Sequence, residues 1–255
     1  MATIFPVESL KTGCKGCHKP LDFDFTFAFQ PIVDIEQRNI FGYEALVRDQ
    51  QTQTAKAVLD RVNDENRYAF DQACRVKAIR LANQLRLDSI LSINFLPNAV
   101  YEPEHCIQST LKAAKECGFP TSKIMFEITE SEQVADVEHL RGIFQHYQRQ
   151  GFITALDDFG AGHAGLNTLA SFIPNLLKVD MELVKNIDQD PVKQIIVSGL
   201  IEICRQLNIT VLAEGLETRE EVLYFQQLGV KLMQGFFFAR PGYESLPEVD
   251  FDGLN

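Results

Sequence analysis

Hydrophobic and polar positions along the chain alternate with two different periods. Short β-rich runs stand at Phe25–Val33, Ile40–Val47, Ile90–Phe95, Ile124–Ile128, Phe152–Asp157, Leu176–Val179, Thr210–Ala213 and Leu232–Phe237. Between most of them, apolar residues recur at i, i+3 and i+4, as in NRYAFDQACRVKAIRLANQL (66–85), which gives a helix one buried stripe. Further helices are predicted over Pro103–Glu116, Gln133–Gln150, Pro191–Leu207 and Arg219–Leu228. Ser131, ahead of Glu132 and Glu138, and Thr218 read as helix starts; Glu221 three residues after Thr218 makes the second a capping box.

Strands that alternate with helices predict a mostly parallel α/β sheet. Eight strands in a chain of 255 residues suit a (β/α)8 barrel of the TIM type, whose usual size is ~250 residues. The first two runs are separated only by DIEQRN (34–39), too short for a crossover helix, so these two strands are expected to pair antiparallel. Residues 1–22 read as an irregular lead-in and 23–255 as one barrel domain.

Composition narrows the function. A net charge of −11 argues against binding DNA or RNA duplexes, which need clustered Lys and Arg. A small phosphate ligand stays open if bound cations supply positive charge. No apolar run reaches the ~18 residues of a membrane span, and no secretion signal is evident, so a cytoplasmic location away from membranes is expected. Of six cysteines, Cys74, Cys106, Cys117 and Cys204 sit in apolar or helical contexts and read as buried thiols. Cys14, Cys17 and His18 in CKGCH match the haem-attachment spacing; a zinc half-site, a redox pair or a plain turn are the alternatives.

Barrel chemistry sits at the C-terminal ends of the strands. The polar residues there are Glu44, Asn94, Glu127, Asp157, Asp158, Lys178, Asp180, Glu214 and Gln234. A lone Asp at a strand end is more often a turn or helix cap than a ligand. Nearly every strand delivering an acid, amide or amine to one face is another matter. Converging carboxylates require cations, and hard oxygen donors without His or Cys suit Mg²⁺ or Mn²⁺. Adjacent acids such as Asp157 and Asp158 can serve two ions ~3.5–4 Å apart, the arrangement used in two-metal phosphate hydrolysis. Lys178 among the acids would offset charge and orient or help deprotonate a water.

The motifs YEALVR (43–48), FQPIVD (29–34), SINFLP (92–97), FEITE (126–130), LDDFGAG (156–162), LLKVD (176–180), AEGLET (213–218) and QGFFFARP (234–241) occur in order with near-family spacing. Together they resemble the EAL-domain cyclic-di-GMP phosphodiesterases. The resemblance implies a (β/α)8 barrel whose first strand is antiparallel to the others. It also implies hydrolysis of one phosphodiester of cyclic di-GMP to linear pGpG with two Mg²⁺ or Mn²⁺ ions. By motif, Glu44, Asn94, Glu127 and Asp157 would hold one ion, and Asp157, Asp158 and Glu214 the other. Lys178 would contact the attacking water, and Gln234 and Glu217 would support ligands or substrate. Gln30, Leu46, Arg48 and Pro241 would line the nucleotide pocket; an ion pair with a neighbouring acid is the structural alternative for Arg48. Glu130 would brace the loop after Asp158, which in this family contributes to a homodimer interface.

The chain departs from the family pattern at His163–Gly165, where an aromatic and one or two serines are usual, and at Phe236, where Tyr is common. Neither change touches an expected ligand. The rival reading is a catalytically weak member acting as a cyclic-di-GMP receptor or protein-interaction module. The DFG triplet is no kinase signal, since no Gly-rich loop or H-R-D motif accompanies it.

Overall fold

The computed structural model describes residues 21–100, 102–129, 137–161 and 165–252. Cys14, Cys17, His18, Glu130, Ser131, His163 and Ala164 lie outside the described residues. The strands are β1 (Thr26–Asp34), β2 (Asn39–Arg48), β3 (Ile90–Asn94), β4 (Ile124–Thr129), β5 (Ile153–Phe159), β6 (Leu176–Val179), β7 (Thr210–Ala213), β8 (Leu232–Met233) and β9 (Gly242–Tyr243). The helices are α1 (Ala55–Leu59), α2 (Arg67–Gln84), α3 (Pro103–Cys106), α4 (Gln108–Cys117), α5 (Val137–Arg149), α6 (Gly165–Ser171), α7 (Met181–Val184), α8 (Pro191–Gln206) and α9 (Arg219–Gln227).

Strands β2 to β8 pair in sequence order, all parallel. β1 closes the ring by pairing antiparallel with both β2 and β8, and β9 adds to it outside the ring. The protein is therefore a modified TIM-type barrel, and the short 34–39 connection forces the reversed strand as expected. The sequence pattern placed most elements but not all their limits. Pro103–Glu116 divides into α3 and α4 at Ile107, and α5 begins at Val137 among the described residues. The last barrel strand ends at Met233 rather than Phe237, because the backbone turns sharply at Gly235.

Two apolar layers set the site's position. The larger one fills the space between the barrel wall and the helices, with Phe25, Phe27, Phe29, Phe126 and Ile143 among its members. A smaller cluster, Ile32, Met125, Ala155, Leu176, Leu212 and Leu232, draws one residue from each of six strands and plugs the barrel. Side chains alternate across a strand, so residues two apart share a face. Two positions from these plug residues stand Gln30, Glu127, Asp157, Lys178, Glu214 and Gln234. The period of the strand thus lays a polar storey directly on an apolar floor.

One buried polar network lies in the outer layer. Arg75 and Asp71 on α2 form an ion pair with essentially no solvent exposure. Arg75 also donates to the Tyr147 hydroxyl at 3.1 Å, and Asp71 accepts the Leu96 N–H at 3.0 Å. Removing one partner of a buried pair strands the other charge. Arg75→Met is expected to cost about 3–5 kcal/mol. A urea-unfolding midpoint equal to that of the parent would contradict this. No described helix is long and apolar enough to cross a membrane.

Candidate active site

Lys178 on β6 is the centre of the polar storey. Its Nζ lies 2.8 Å from Asp157 Oδ1, 2.9 Å from Glu214 Oε2, 3.1 Å from Glu127 Oε2 and 3.5 Å from Glu44 Oε2. Glu44 is held from two further sides: Asn94 Nδ2 donates to Oε1 and Gln234 Nε2 to Oε2, each at 2.8 Å. Gln234 Nε2 also reaches Gln30 Oε1 at 3.4 Å, and Gln30 Nε2 donates to the Ala239 carbonyl at 3.3 Å. Of the polar residues that the sequence places at the strand ends, all but Asp180 come to this one place. Asp180 instead caps α7, accepting the Glu182 N–H at 2.9 Å.

Adjacent residues on a regular strand face opposite ways, so Asp157 and Asp158 need a device to face the same point. The β5–β6 register slips between Leu156 and Phe159, and Asp158 takes a left-handed backbone with φ of 52°. This is a bulge, which re-aims a side chain at the cost of local pairing. A non-glycine residue in that region carries backbone strain, a common property of functional positions. The result is two carboxylate groups sharing one member: Glu44, Glu127 and Asp157, and Asp157, Asp158 and Glu214. In each group the ligand oxygens lie within 4.8 Å of one another.

The electrostatics show what this arrangement costs. Burial pushes Glu127 up to about 8 and Asp157 up to about 6; Lys178 opposes both shifts, and Glu44 adds to both. Burial likewise holds Glu214 well above the ordinary range against the pull of Lys178. Glu44, unlike Glu127, Asp157 and Glu214, ends below its ordinary value: burial opposes this, but Lys178 and the Gln234 and Asn94 amides outweigh it. Lys178 is raised well above a free lysine: burial opposes its charge, but Asp157, Glu127, Glu214 and Glu44 prevail. One ammonium cannot neutralise five acids.

The donor set fits divalent cations. All its acids are hard oxygen ligands, shared between two adjoining groups, and buried Glu127 Oε1 makes no hydrogen bond of regular geometry among the described residues; burial raises the Glu127 pKa, and the Ser92 hydroxyl beside it works to lower it.

Beside the ring opens a cleft of about 220 Å³ bordered by Gln30, Glu44, Glu214, Glu217, Gln234, Met181 and Phe236 with Gly215 and Gly235. Leu46 and Arg48 continue the Glu44 face of β2 at half-buried positions and stand outside this lining, as does Pro241. Arg48 pairs with no carboxylate among the described residues; its guanidinium donates to the Val47 carbonyl at 2.8 Å.

Several contributors escaped sequence reasoning. Met181 and Gly215 meet across the cleft wall, where a Cβ on Gly215 would fall 2.5 Å from Met181 Cβ. Buried Glu221, read from sequence only as part of a capping box, accepts three backbone N–H groups: Asn186 at 2.8 Å, Glu217 at 2.9 Å and Thr218 at 3.0 Å. It thereby ties the Glu214–Thr218 loop to the turn after α7. Gly235 is the tightest point, since a Cβ there would lie 2.0 Å from the Leu216 carbonyl oxygen. Backbone cannot swing aside as a side chain can. Gly235→Ala is expected to lower stability by about 1–3 kcal/mol and to displace Gln234 from Glu44. A melting temperature and metal-induced thermal shift equal to the parent's would refute that expectation.

Fold and site together define a class: a modified (β/α)8 barrel with a carboxylate ring suited to divalent cations at the C-terminal strand ends. The chain belongs to the EAL domain family, whose model matches residues 21–241. It resembles a standalone EAL protein from Vibrio cholerae O395, solved in its c-di-GMP-bound form, with 55% identity and a TM-score of 0.89 over 91% of this chain and 99% of that one. It is 30% identical over 88% of its length to the blue light- and temperature-regulated antirepressor BluF of Escherichia coli K12. It is 33% identical over 54% of its length to the cyclic di-GMP phosphodiesterase PdeR of the same organism. The chain spans 56% of BluF and 20% of PdeR.

Proposed function

We propose that this chain is a metal-dependent phosphodiesterase that hydrolyses cyclic di-GMP to linear pGpG. The observation that carries the reading is the set of four acids around Lys178, joined by Asp158 through the Asp157–Asp158–Glu214 group and bordering an open cleft at Glu44 and Glu214. Glu44, Asn94, Glu127 and Asp157 would hold one Mg²⁺ or Mn²⁺ ion, and Asp157, Asp158 and Glu214 a second. When bound, such ions supply positive charge to the phosphate and acidify a water at neutral pH.

The chain's own groups supply the rest. Lys178, in contact with four acids, would offset their charge and orient the attacking water or help to deprotonate it. Gln234 and Asn94 hold Glu44 ionised and fixed in direction, so that the ligand is preorganised. The apolar floor excludes water from below and keeps the ring's electrostatics strong. Gln30, Leu46, Arg48, Gln234, Glu217 and Pro241 would receive the nucleotide. A homodimer belongs to this reading, and α8 offers an apolar face for it in exposed Val192, Ile195, Ile196 and Ile203.

The test is turnover of cyclic di-GMP by the purified chain with Mg²⁺, Mn²⁺ or EDTA, followed by chromatography. Linear pGpG formed only with metal is the expected result. The likeness to BluF, an antirepressor, favours a second reading, a nucleotide-responsive module without turnover. Binding with no product under any condition would establish that reading instead.

A further inference from the structure

The loop between β7 and α9 brings Glu214 and Glu217 to the cleft, with Gly215 between them. The loop between β6 and α8 faces it and lines the same cleft with Met181. Gly215 stands against Met181 with a φ of 72°, a conformation that glycine adopts without strain. The first loop is held unevenly along its length. At its start, the Glu214 N–H reaches the Val179 carbonyl only at 3.4 Å. Its middle is firm, since Leu216 is buried and donates to the Gln234 carbonyl at 3.2 Å. Its far end rests on the side chain of Glu221.

Glu221 Oε2 accepts the Glu217 N–H at 2.9 Å and the Thr218 N–H at 3.0 Å. Oε1 crosses to the facing loop and accepts the Asn186 N–H at 2.8 Å. Asn186 has a left-handed φ of 56°, uncommon for a residue other than glycine. A capping box needs only the reciprocal bonds between the cap residue and the third helical position. Those are present, because Thr218 Oγ1 accepts the Glu221 N–H at 3.3 Å. The bond to Asn186 adds nothing to α9 and joins two loops. Glu221 is 2% exposed, and amide groups stabilise its charge. Burial opposes ionisation, yet the Asn186, Glu217 and Thr218 N–H groups hold its carboxyl below the ordinary range.

We propose that Glu221 is a positioning residue for the cleft: it staples the loop of Glu214 and Glu217 to the loop of Met181 and so sets how Glu214 is presented to a cation. This rests on the metal-dependent reading above and adds to it a residue that touches neither cation nor nucleotide. Of the two carboxylate groups, Asp157–Asp158–Glu214 draws on this loop and Glu44–Glu127–Asp157 does not. Glu221 therefore acts on one ion and spares the other.

The test compares the full chain with Glu221→Gln, Glu221→Asp and Thr218→Ala. The Gln variant keeps the volume but replaces one accepting oxygen by an NH₂ group, so at least one loop loses its anchor. The Asp variant keeps the charge but is one methylene too short to span both loops. Thr218→Ala removes the helix cap and leaves the three carboxylate bonds in place. Mn²⁺ binding is measured by calorimetry, backbone amide exchange in EDTA, and turnover of cyclic di-GMP against Mn²⁺ concentration.

In both Glu221 variants one of two Mn²⁺ ions should bind about 10-fold to 100-fold more weakly, while the other stays within about 3-fold. The Glu217 and Thr218 amides should exchange about 10-fold faster. The Mn²⁺ concentration for half-maximal turnover should rise in step, and saturating Mn²⁺ should return kcat to within about 3-fold of the parent. Thr218→Ala should melt about 2–4 °C lower and keep the parent's Mn²⁺ affinities. Parent-like Mn²⁺ affinities in the Glu221 variants would overturn the proposal. So would equal weakening of both ions, or the same selective loss in Thr218→Ala, either of which would reduce Glu221 to a support of the fold. A parent that takes up fewer than two Mn²⁺ ions would overturn the two-ion reading and this proposal with it. A parent that binds Mn²⁺ and nucleotide without turnover would end the phosphodiesterase reading alone, and selective loss of one ion in Glu221→Gln would still uphold the staple.

Discussion

Glu44→Ala should abolish turnover of cyclic di-GMP and leave the fold intact. Glu44, unlike Glu127, Asp157 and Glu214, is held below its ordinary range; burial opposes this, but Lys178 and two side-chain amides prevail. It would therefore offer a cation a ready, fixed ligand. Losing such a ligand is expected to cost on the order of 10²–10³-fold in turnover. The Mn²⁺-induced thermal shift should shrink with it. Stability in EDTA should change little, because the deletion removes one source of repulsion on Glu127 and Asp157 while freeing Asn94 and Gln234. Full activity in this variant would show that the site has been wrongly assigned.

Lys178→Met has the opposite profile, a large effect on the protein itself. Four carboxylates within 3.5 Å lose the cation they share. Breaking a buried pair from one side costs about 3–5 kcal/mol, and here several acids are involved. The pH dependence follows from the raised carboxyls. Glu127 at about 8 and Asp157 at about 6 bind protons in the folded protein at pH values where the unfolded chain has released them. Stability in EDTA therefore falls as pH rises from about 4 to about 8. Lys178 moderates that fall, so in Lys178→Met it should be steeper and extend to higher pH. Melting curves at pH 5 and pH 8, with EDTA and with Mn²⁺, measure both effects, and Mn²⁺ should recover much of the loss at pH 8. Coincident curves for variant and parent at pH 8 in EDTA would contradict the central role given to Lys178. Turnover should be lost as well.

Much of the site was legible before any coordinates. Their places within or just after successive strand runs point Glu127, Asp157, Lys178 and Glu214 to one end of the barrel, and the short 34–39 connection leaves β1 no choice but reversal. The elements that stayed hidden depend on local departures from regularity. Nothing in LDDFG announces that the backbone at Asp158 turns left-handed, although two adjacent acids can share a focus only if it does. Asp180 follows the last residue of its strand as Glu214 does, yet its carboxylate is taken by the first turn of α7. The division of three consecutive phenylalanines into two packed and one exposed is decided by the jam at Gly235, a tertiary contact with a loop nineteen positions earlier in the sequence (Leu216). Glu221 carries a capping motif readable from sequence, but its third bond reaches Asn186 on another loop.

The reversal of β1 has a consequence for control. In an ordinary TIM barrel the first strand starts at the end remote from the chemistry. Here Thr26 pairs with Arg48, so β1 starts beside the C-terminal end of β2, on the reactive side. A segment joined ahead of Thr26, whether a sensor, a docking tail or an engineered fusion, enters the barrel at the end where β2 finishes. From Thr26 the strand leads to Gln30, whose side chain meets Gln234, which in turn donates to Glu44. The topology sets the start of β1 within five residues (Thr26 to Gln30) of a side chain in contact with the acid ring's hydrogen-bond network.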